Sequence, residues 1–328
     1  MRRRLVAGAA IVVVLLLALA QLHALVTYDS EPYVDRSMAS IPRLLREQAP
    51  RHERNLDPYE GYGTWVDVYD FAPSYQGGGT PTVTADSVDE MLRRGVRTVY
   101  LQAAQLDSRS PGPVVDPTAV GQFLVRAHRA GLRVVGWYLP RFTDLDQDLH
   151  HLAGISDFEV LGHRFDGVAV DIEWTDGVVD HAARSAELVD LSRRLREANG
   201  DDALGAIVLP PVQIEVVNPA KWPGFPWREL ASSYDVWLPM GYWTERTEAS
   251  GFKNGETYTD ENVRRIRKNL DDPDAPVHAI GGIGDDLTPE QVTGFIQALE
   301  ATDAIGGSIY DWATLSTQMR DHLARLAQ

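Results

Sequence analysis

The sequence predicts an α/β protein whose main domain is a (β/α)8 TIM barrel, preceded by an N-terminal signal or anchor segment and a stem. The first observation is that apolar strand-like runs alternate with amphipathic helical runs from residue 63 to the end of the chain. The second is that the alternation continues over about 260 residues, the usual size of this barrel. The third is the turn from Tyr69 to Pro73, which lacks the glycine-rich phosphate fingerprint typical of doubly wound open sheets.

Each strand and helix is placed by its apolar period and by the residues that begin or end it. The predicted strands are 64–69, 96–103, 132–138, 167–172, 203–209, 234–240, 277–280 and 305–310. The predicted helices are 85–94, 117–130, 144–153, 178–198, 227–233, 260–270, 288–300 and 314–326. Gly95 and Gly131 act as stop signals after the first two helices, and Thr288 caps the seventh helix with Pro289 in its first turn.

The N-terminus has the pattern of an export segment, because three arginines at positions 2 to 4 precede an apolar run over 5–20. Apolar residues continue to residue 26, so residues 1–26 fit either a cleaved signal peptide or an uncleaved anchor that tethers the protein to a membrane. Both predict an extracytoplasmic protein. Residues 27–62, interrupted by four prolines, are predicted to be a stem or linker, and 63–328 the barrel domain.

Composition narrows the partners of the protein. The formal net charge is −16, which argues against nucleic acid or anionic lipid as the main partner, since both require basic surface. The chain has no cysteine, which excludes disulfides, thiolate catalysis and zinc–thiolate sites. The histidines do not have metal-ligand spacing. We therefore expect neither a metal nor a cofactor, and the oligomeric state stays open.

The most informative stretch is 165–174, which reads Phe-Asp-Gly-Val-Ala-Val-Asp-Ile-Glu-Trp. Its apolar residues alternate, which is typical of a buried parallel strand. Asp171 and Glu173 lie two apart near its carboxyl end, so both side chains leave the same face. Close carboxylates in a buried setting separate in pKa, which leaves one protonated and one ionised near neutral pH. That pairing suits acid catalysis at a sugar; the alternative is two acids held by arginines or water.

Aromatic and acidic residues recur at the predicted carboxyl ends of the other strands, where barrels place their active sites. Such side chains suit carbohydrate, because aromatic rings stack on sugar faces and carboxylates bind hydroxyls. The predicted substrate-binding residues are Asp67, Tyr69, Asp70, Gln102, Trp137, Tyr138, Gln213, Met240, Trp243, Asp311 and Trp312. Three further aromatic residues, Trp222, Phe225 and Trp227, fit either one wall of a substrate groove or a hydrophobic plug.

The stretch from Asp166 to Glu173 resembles the signature Asp-Gly-x-Asp-x-Asp-x-Glu of family 18 glycoside hydrolases, the chitinase-like enzymes. Met240-Gly-Tyr242 resembles that family's sixth-strand Met-x-Tyr-Asp, and Trp312 resembles the tryptophan that floors its sugar site. The resemblance implies that Glu173 protonates the glycosidic oxygen while the substrate's own 2-acetamido group attacks the anomeric carbon. It also implies that Asp171 orients this acetamido group and that Tyr242 binds its carbonyl.

The sequence departs from this pattern at two positions. Ala169 replaces the middle aspartate of the signature, and Trp243 replaces the aspartate that would follow Tyr242. Asp67 on the first strand, together with Asp-x-Glu on the fourth, is also similar to the family 25 lysozymes. The paired glutamates that many other barrel glycosidases use are not expected here, because the predicted seventh strand does not end in Glu.

We therefore expect an exported glycoside hydrolase-like protein acting on an N-acetylated polysaccharide such as peptidoglycan, a chitin-like glycan or poly-N-acetylglucosamine. Glu173, Asp171 and Tyr242 are the predicted catalytic residues. The alternative is a non-catalytic glycan-binding barrel tethered to the cell envelope, which Ala169 and Trp243 favour. The sugar, its linkage and the choice between endo and exo cleavage stay open.

Overall fold

The computed structural model describes residues 54–327, which form an eight-stranded parallel barrel. The strands are β1 (Gly61–Val66), β2 (Thr98–Gln102), β3 (Arg133–Tyr138), β4 (Gly167–Ile172), β5 (Leu204–Val208), β6 (Val236–Pro239), β7 (His278–Ile283) and β8 (Gly306–Tyr310). They pair in sequence order from β1 to β6, and β8 lies between β1 and β7. Single bridges from Trp237 to Val277 and from Met240 to Ile280 bring β6 against β7 and nearly close the barrel. The predicted fold class is confirmed.

The helices that follow the strands are α1 (Val88–Arg93), α2 (Pro117–Ala130), α3 (Leu145–Asp157), α4 (His181–Asn199), α5 (Trp227–Leu230), α6 (Gly255–Leu270), α7 (Pro289–Ala301) and α8 (Thr317–Leu323). Two helix boundaries show how the sequence sets them. Gly131 ends α2 with φ +84°, a conformation that glycine adopts without strain. Thr288 caps the start of α7, as the sequence predicts, and forms a reciprocal capping box with Gln291.

The barrel interior is filled by aromatic rings and by a chain of buried hydrogen bonds. Trp65 and Tyr100 stack with ring centroids 4.4 Å apart. His278 Nδ1 donates to the carbonyl of Tyr59 at 2.8 Å, and its Nε2 accepts from the hydroxyl of Ser308 at 2.9 Å. That hydroxyl oxygen in turn accepts from the indole of Trp65 at 2.8 Å. The side chains of His278, Ser308 and Trp65 are all hydrogen-bonded in this series, which joins β1, β7 and β8.

The first strand differs from its prediction. The sequence predicts 64–69, whereas β1 spans Gly61–Val66. The physical reason is Asp67, whose carboxylate accepts the backbone N–H groups of Tyr69 and Asp70 and so begins a short helix, Val68–Phe71. Residues 57–62, predicted as the end of the stem, belong to the barrel, and Tyr59 among them is buried.

Other elements agree with the sequence more closely. β4 and α2 have the predicted bounds, and the remaining barrel strands lie within three residues of theirs at each end. Besides the short helix Val68–Phe71 and several 3-10 turns, the unpredicted elements include a two-stranded hairpin, Glu159–Val160 with His163–Arg164, and a π-helical turn at Val212–Val217. The predicted signal or anchor segment and most of the predicted stem lie outside the described residues. Between residues 54 and 327, every helix is too short or too polar to cross a membrane.

Candidate active site

β4 brings Asp171 to the carboxyl end of the barrel, where its side chain is 6% exposed. Its Oδ1 atom is buried and accepts no hydrogen bond from the described part of the chain. Burial raises the pKa of Asp171 well above its usual range, and the nearby charge of Glu173 raises it further. Asp171 therefore keeps a proton at pH values where an exposed aspartate has lost it.

Glu173 is the second residue of the pair and follows directly after β4, half-buried. Burial raises the pKa of Glu173; the positive charge of Lys221 opposes that rise, and the negative charge of Glu245 adds to it. The two carboxyl groups thus have raised pKa values for mainly the same reason, removal from water. A carboxyl group in this state can donate a proton near neutral pH.

Tyr242 lies in the turn after β6, and its ring centroid is 6.1 Å from that of Tyr310 on β8. Burial raises the pKa of Tyr242 well above its usual range, and the negative charges of Glu173 and Asp171 raise it further. Its hydroxyl therefore stays protonated and is available as a hydrogen-bond donor. Tyr242 links the acids at the end of β4 to the residues at the end of β8.

A second group of acids, Asp67, Asp70 and Asp311, lies where β1 and β8 end. One oxygen of each carboxylate lies within 4.8 Å of the others. Tyr310 donates its hydroxyl to Asp67 at 2.7 Å, and the backbone N–H of Asp67 donates to Asp70 at 3.3 Å. Burial raises the pKa of Asp70 to about 7, and the charges of Asp67 and Asp311 add to the rise. Three carboxylates are ligands that suit a hard cation such as Ca²⁺, so the predicted lack of a metal stays a prediction.

Two predicted substrate-binding tryptophans lie in the core and not at the barrel mouth. Trp243 is 0% exposed, and its ring lies 5.4 Å from that of Phe295 on α7. Gly281 and Gly282 leave room for it, since a Cβ on either would come within about 3 Å of the indole. Trp312 is 3% exposed, and the guanidinium of Arg320 covers its ring at 4.1 Å. Both rings are already covered by protein, so neither presents a face for a sugar.

Side chains alternate between the two faces of β3, so two further predicted substrate-binding residues, Trp137 and Tyr138, point in opposite directions. Trp137 points into the barrel, where its ring meets Trp65 edge-on at 5.9 Å. Tyr138, the next residue, therefore points outward, and its hydroxyl donates to Asp148 of α3 at 2.7 Å. The prediction that both rings bind substrate assigns neighbouring strand residues to one face, which a strand does not allow. Tyr69, in contrast, is 54% exposed, with its ring edge-on to Tyr75.

Three other residues that the sequence predicts to bind substrate contact other parts of the protein instead. They are Gln102, Gln213 and Met240. Gln102 is buried, accepts the backbone N–H of Val68 at 3.1 Å and donates to Gln105 at 3.0 Å. It therefore fixes the short helix that carries Asp70. Gln213 accepts a hydrogen bond from Arg246. Met240 is 5% exposed at the bridge between β6 and β7.

The segment after β5 forms a plug. Trp222, Phe225 and Trp227 are 1%, 8% and 7% exposed, and adjacent rings are 5.1 and 4.4 Å apart. Of the two interpretations left open by the sequence, the hydrophobic plug is the one that this packing supports.

Three residues of the site were missed as site residues. Tyr310 lies two residues after Ser308 on β8, so strand alternation could have placed it inside the barrel with Ser308. Lys221 and Glu245 act on the charge of Glu173 from turns after β5 and β6. Irregular turns do not have a period from which the direction of a side chain can be read, so the sequence carried no signal for these two.

No protein-family model matches the chain, and no curated protein matches its sequence. Solved structures do match its fold. A family 18 N-acetylglucosaminidase from Paenibacillus barengoltzii superposes with a TM-score of 0.55 at 10% identity, covering 81% of this chain and 99% of that one. A class V chitinase from Nicotiana tobaccum gives 0.54 at 10% identity, covering 82% and 99%. The spore cortex-lytic enzyme of Bacillus megaterium gives 0.54 at 8% identity, covering 85% and 75%. The chain therefore has the fold of family 18 glycoside hydrolases.

Proposed function

We propose that this protein is a glycoside hydrolase that cleaves an N-acetylated polysaccharide, with Glu173 as the general acid. The observation that carries the proposal is the Asp171–Glu173 pair at the carboxyl end of β4, whose pKa values are both raised and whose charges act on Tyr242. Asp171 lies on β4, Glu173 follows that strand directly, and Tyr242 lies in the turn after β6, which supports the proposal.

In the proposed reaction, protonated Glu173 gives its proton to the glycosidic oxygen as the bond to the anomeric carbon breaks. The acetamido oxygen of the same sugar attacks that carbon and forms a cyclic intermediate. Asp171 holds the acetamido N–H, and Tyr242 donates its hydroxyl to the acetamido oxygen. A water molecule then attacks the anomeric carbon and opens the ring of the intermediate, while Glu173 takes a proton from the water. Because the anomeric carbon is attacked twice, its configuration is retained. A second enzyme carboxylate is not needed as a nucleophile, unlike in most retaining glycosidases.

The proposed substrates are peptidoglycan, chitin-like glycans and poly-N-acetylglucosamine, each of which carries the acetamido group that this reaction requires. The names of the similar structures support this class, since they include a chitinase, an N-acetylglucosaminidase and a spore cortex-lytic enzyme. The export pattern in residues 1–26 supports action outside the cytoplasm, by a secreted or membrane-tethered protein.

A second candidate function is glycan binding without cleavage. Ala169 favours it, because a methyl group stands where the signature has a carboxyl group that would share a proton with Asp171. The buried and unpartnered Oδ1 of Asp171 is consistent with that loss. In this case Asp171, Glu173 and Tyr242 recognise the acetamido group but do not complete the reaction.

The test is to incubate the full chain and its Glu173→Gln variant with peptidoglycan, chitin oligomers and β-1,6-linked N-acetylglucosamine polymer. New reducing ends are measured by mass spectrometry. We expect the wild type to cleave one substrate and the variant to cleave it at a rate about 10²–10⁴-fold lower. The control is Glu300→Gln, an exposed residue at the end of α7, where the helix returns to the opposite end of the barrel.

Equal cleavage by the wild type and by Glu173→Gln would contradict the role of Glu173. Binding of a glycan by both proteins, with cleavage by neither, would replace the hydrolase proposal with the glycan-binding one.

A further inference from the structure

Arg184 on α4 is a buried cation whose side chain has no hydrogen-bond acceptor in the described part of the chain. Its side chain is 4% exposed, and each of its three side-chain nitrogens is buried without a partner among residues 54–327. In the same part of the chain, the other arginines with a buried unpartnered nitrogen, Arg246 and Arg320, each have only Nε in this state. Burial lowers the pKa of Arg184 to about 10, and the charge of Glu187 opposes this change. The group is therefore still charged at neutral pH.

Two aromatic rings hold the Arg184 guanidinium in place. Its central carbon lies 4.0 Å from the ring centroid of Trp222 and 5.3 Å from that of Phe142. These contacts compensate for part of the lost hydration, because the faces of aromatic rings attract cations. They do not use the N–H groups, which lie around the edge of the guanidinium plane. A buried N–H without an acceptor destabilises the protein. A ligand that accepts hydrogen bonds from the edge of the Arg184 guanidinium would therefore stabilise it.

A second unpartnered atom lies on the same face of the helix. His181, three residues before Arg184, has a buried Nδ1 without a hydrogen-bond partner among the described residues. Both residues are in the first two turns of α4, a 19-residue helix whose N-terminal end carries partial positive charge. The carboxylate of Asp180 already accepts the backbone N–H groups of Ala182 and Ala183 at this end. The two unpartnered side chains, not the end of the helix, are therefore what favours a further hydrogen-bonding group here.

The location relates Arg184 to the proposed active site. α4 follows Glu173 after a short loop, and Trp222 follows Lys221, the cation whose charge acts on Glu173. Trp222 lies in the irregular segment between the turn Val212–Val217 and α5, and its indole donates to Ser185 at 3.1 Å. A ligand can reach the edge of the guanidinium only if this segment moves, because both Trp222 and Arg184 are buried.

We infer that Arg184 binds a carboxylate carried by the polysaccharide substrate, so that the substrate is an acidic N-acetylated glycan. The inference rests on the proposed function and names its substrate class. A planar carboxylate pairs with a guanidinium through two parallel hydrogen bonds in one plane. The oxygens of a phosphate are arranged as a tetrahedron, so they cannot all lie in that plane. His181 supplies a further polar contact on the same side.

The test compares two disaccharides that differ by one group. Both consist of two N-acetylated amino sugars, and one carries the lactyl carboxylate of N-acetylmuramic acid while the other, N,N′-diacetylchitobiose, is neutral. Binding to the full chain with Glu173→Gln is measured by calorimetry, so that the result does not depend on cleavage. We expect the acidic disaccharide to bind about tenfold more tightly or better. The added change Arg184→Met brings the two affinities together, and Arg184→Lys retains part of the difference.

Arg193→Met is the matched control, since Arg193 is an exposed arginine of the same helix that pairs with Asp190 and Glu197. It should leave the ratio of affinities unchanged. Methyl esterification of the lactyl group should remove the preference in the protein that keeps Arg184, which tests the inference even if Arg184→Met does not fold. An equal affinity for both disaccharides, or a preference that survives Arg184→Met, would overturn it. Stronger competition by inorganic phosphate than by acetate would overturn the assignment to a carboxylate.

The two proposals fail in different ways. Loss of the carboxylate preference with cleavage of a neutral glycan intact rejects the role of Arg184 only. A carboxylate preference without cleavage of any substrate rejects the hydrolase and keeps the acidic ligand.

Discussion

The hydroxyl of Tyr310 donates a 2.7 Å hydrogen bond to the carboxylate of Asp67, which joins the end of the last barrel strand to the residue that follows the first. Asp67 also caps the short helix Val68–Phe71. On its other side, the ring of Tyr310 lies 6.1 Å from that of Tyr242. Tyr310 thus connects the proposed acetamido-binding tyrosine to the acidic group at the end of β1.

Replacing Tyr310 by Phe removes this hydrogen bond while keeping the ring. We expect the free energy of unfolding to fall by about 1–2 kcal/mol, because Asp67 keeps its two backbone donors and is only partly unsatisfied. We also expect kcat/KM to fall by roughly tenfold, about the effect of one hydrogen bond at the site. Thermal unfolding and steady-state kinetics measure the two effects.

Tyr234→Phe is the control for this change. Its hydroxyl is hydrogen-bonded to Ser192 at 2.8 Å, in a buried contact between α4 and the residues before β6. This variant should lose a similar amount of stability and keep its activity. If Tyr310→Phe keeps full activity as well, Tyr310 serves only to hold the barrel together.

The pH dependence of cleavage should follow the charges around Glu173. A general acid works only while protonated, so activity is lost as pH rises through the pKa of Glu173. The positive charge of Lys221 lowers this pKa and the negative charge of Glu245 raises it. Lys221→Met should therefore move the alkaline limb of the kcat/KM profile to higher pH, and Glu245→Gln should move it to lower pH.

The control for the pH profiles is Lys253→Met, an exposed lysine 3.7 Å from Glu248. Its profile should match that of the wild type. Shifts of the alkaline limb in the same direction for Lys221→Met and Glu245→Gln would show that a group other than Glu173 sets that limb.

The predictability of this fold differs between the strands and the turns. β4 could be placed from the sequence alone because its apolar alternation is uninterrupted and both its faces are buried. β1 could not, because Asp67 ends the strand through hydrogen bonds to backbone groups that come after it. Trp243 follows a strand end, where the period of two stops, so only the packing against Phe295 reveals its direction.

The acidic group of Asp67, Asp70 and Asp311 should make the stability of the protein fall as the pH rises toward 7. Burial and two neighbouring acids raise the pKa of Asp70 to about 7, so between about pH 4 and pH 7 the folded state binds a proton that the unfolded state has released. Stability from this group is present below the unfolded pKa and is lost as pH rises toward 7. Asp70→Asn removes the titrating group and should be relatively more stable at pH 8 than at pH 4.5.

We expect that relative gain to be about 2 kcal/mol or less, since the cluster is partly exposed to solvent. Denaturant unfolding of the wild type and the variant at the two pH values measures it. The exposed Asp274, changed to Asn, should give a difference from the wild type that does not vary with pH in this way. An Asp70→Asn difference that is the same at pH 4.5 and pH 8 would contradict the protonated state.

Substitutions of Trp243 and Tyr69 distinguish a residue that stabilises the core from a residue on the surface. Trp243→Ala should lower the free energy of unfolding by about 3–5 kcal/mol, because the 0% exposed indole fills the space that Gly281 and Gly282 leave beside Phe295. Tyr69→Ala should change it by only about 0.5 kcal/mol, because that ring is 54% exposed. If Tyr69 binds substrate as the sequence predicts, its loss should raise KM. A Trp243→Ala protein with full stability and a raised KM would show instead that the indole leaves the core to bind sugar.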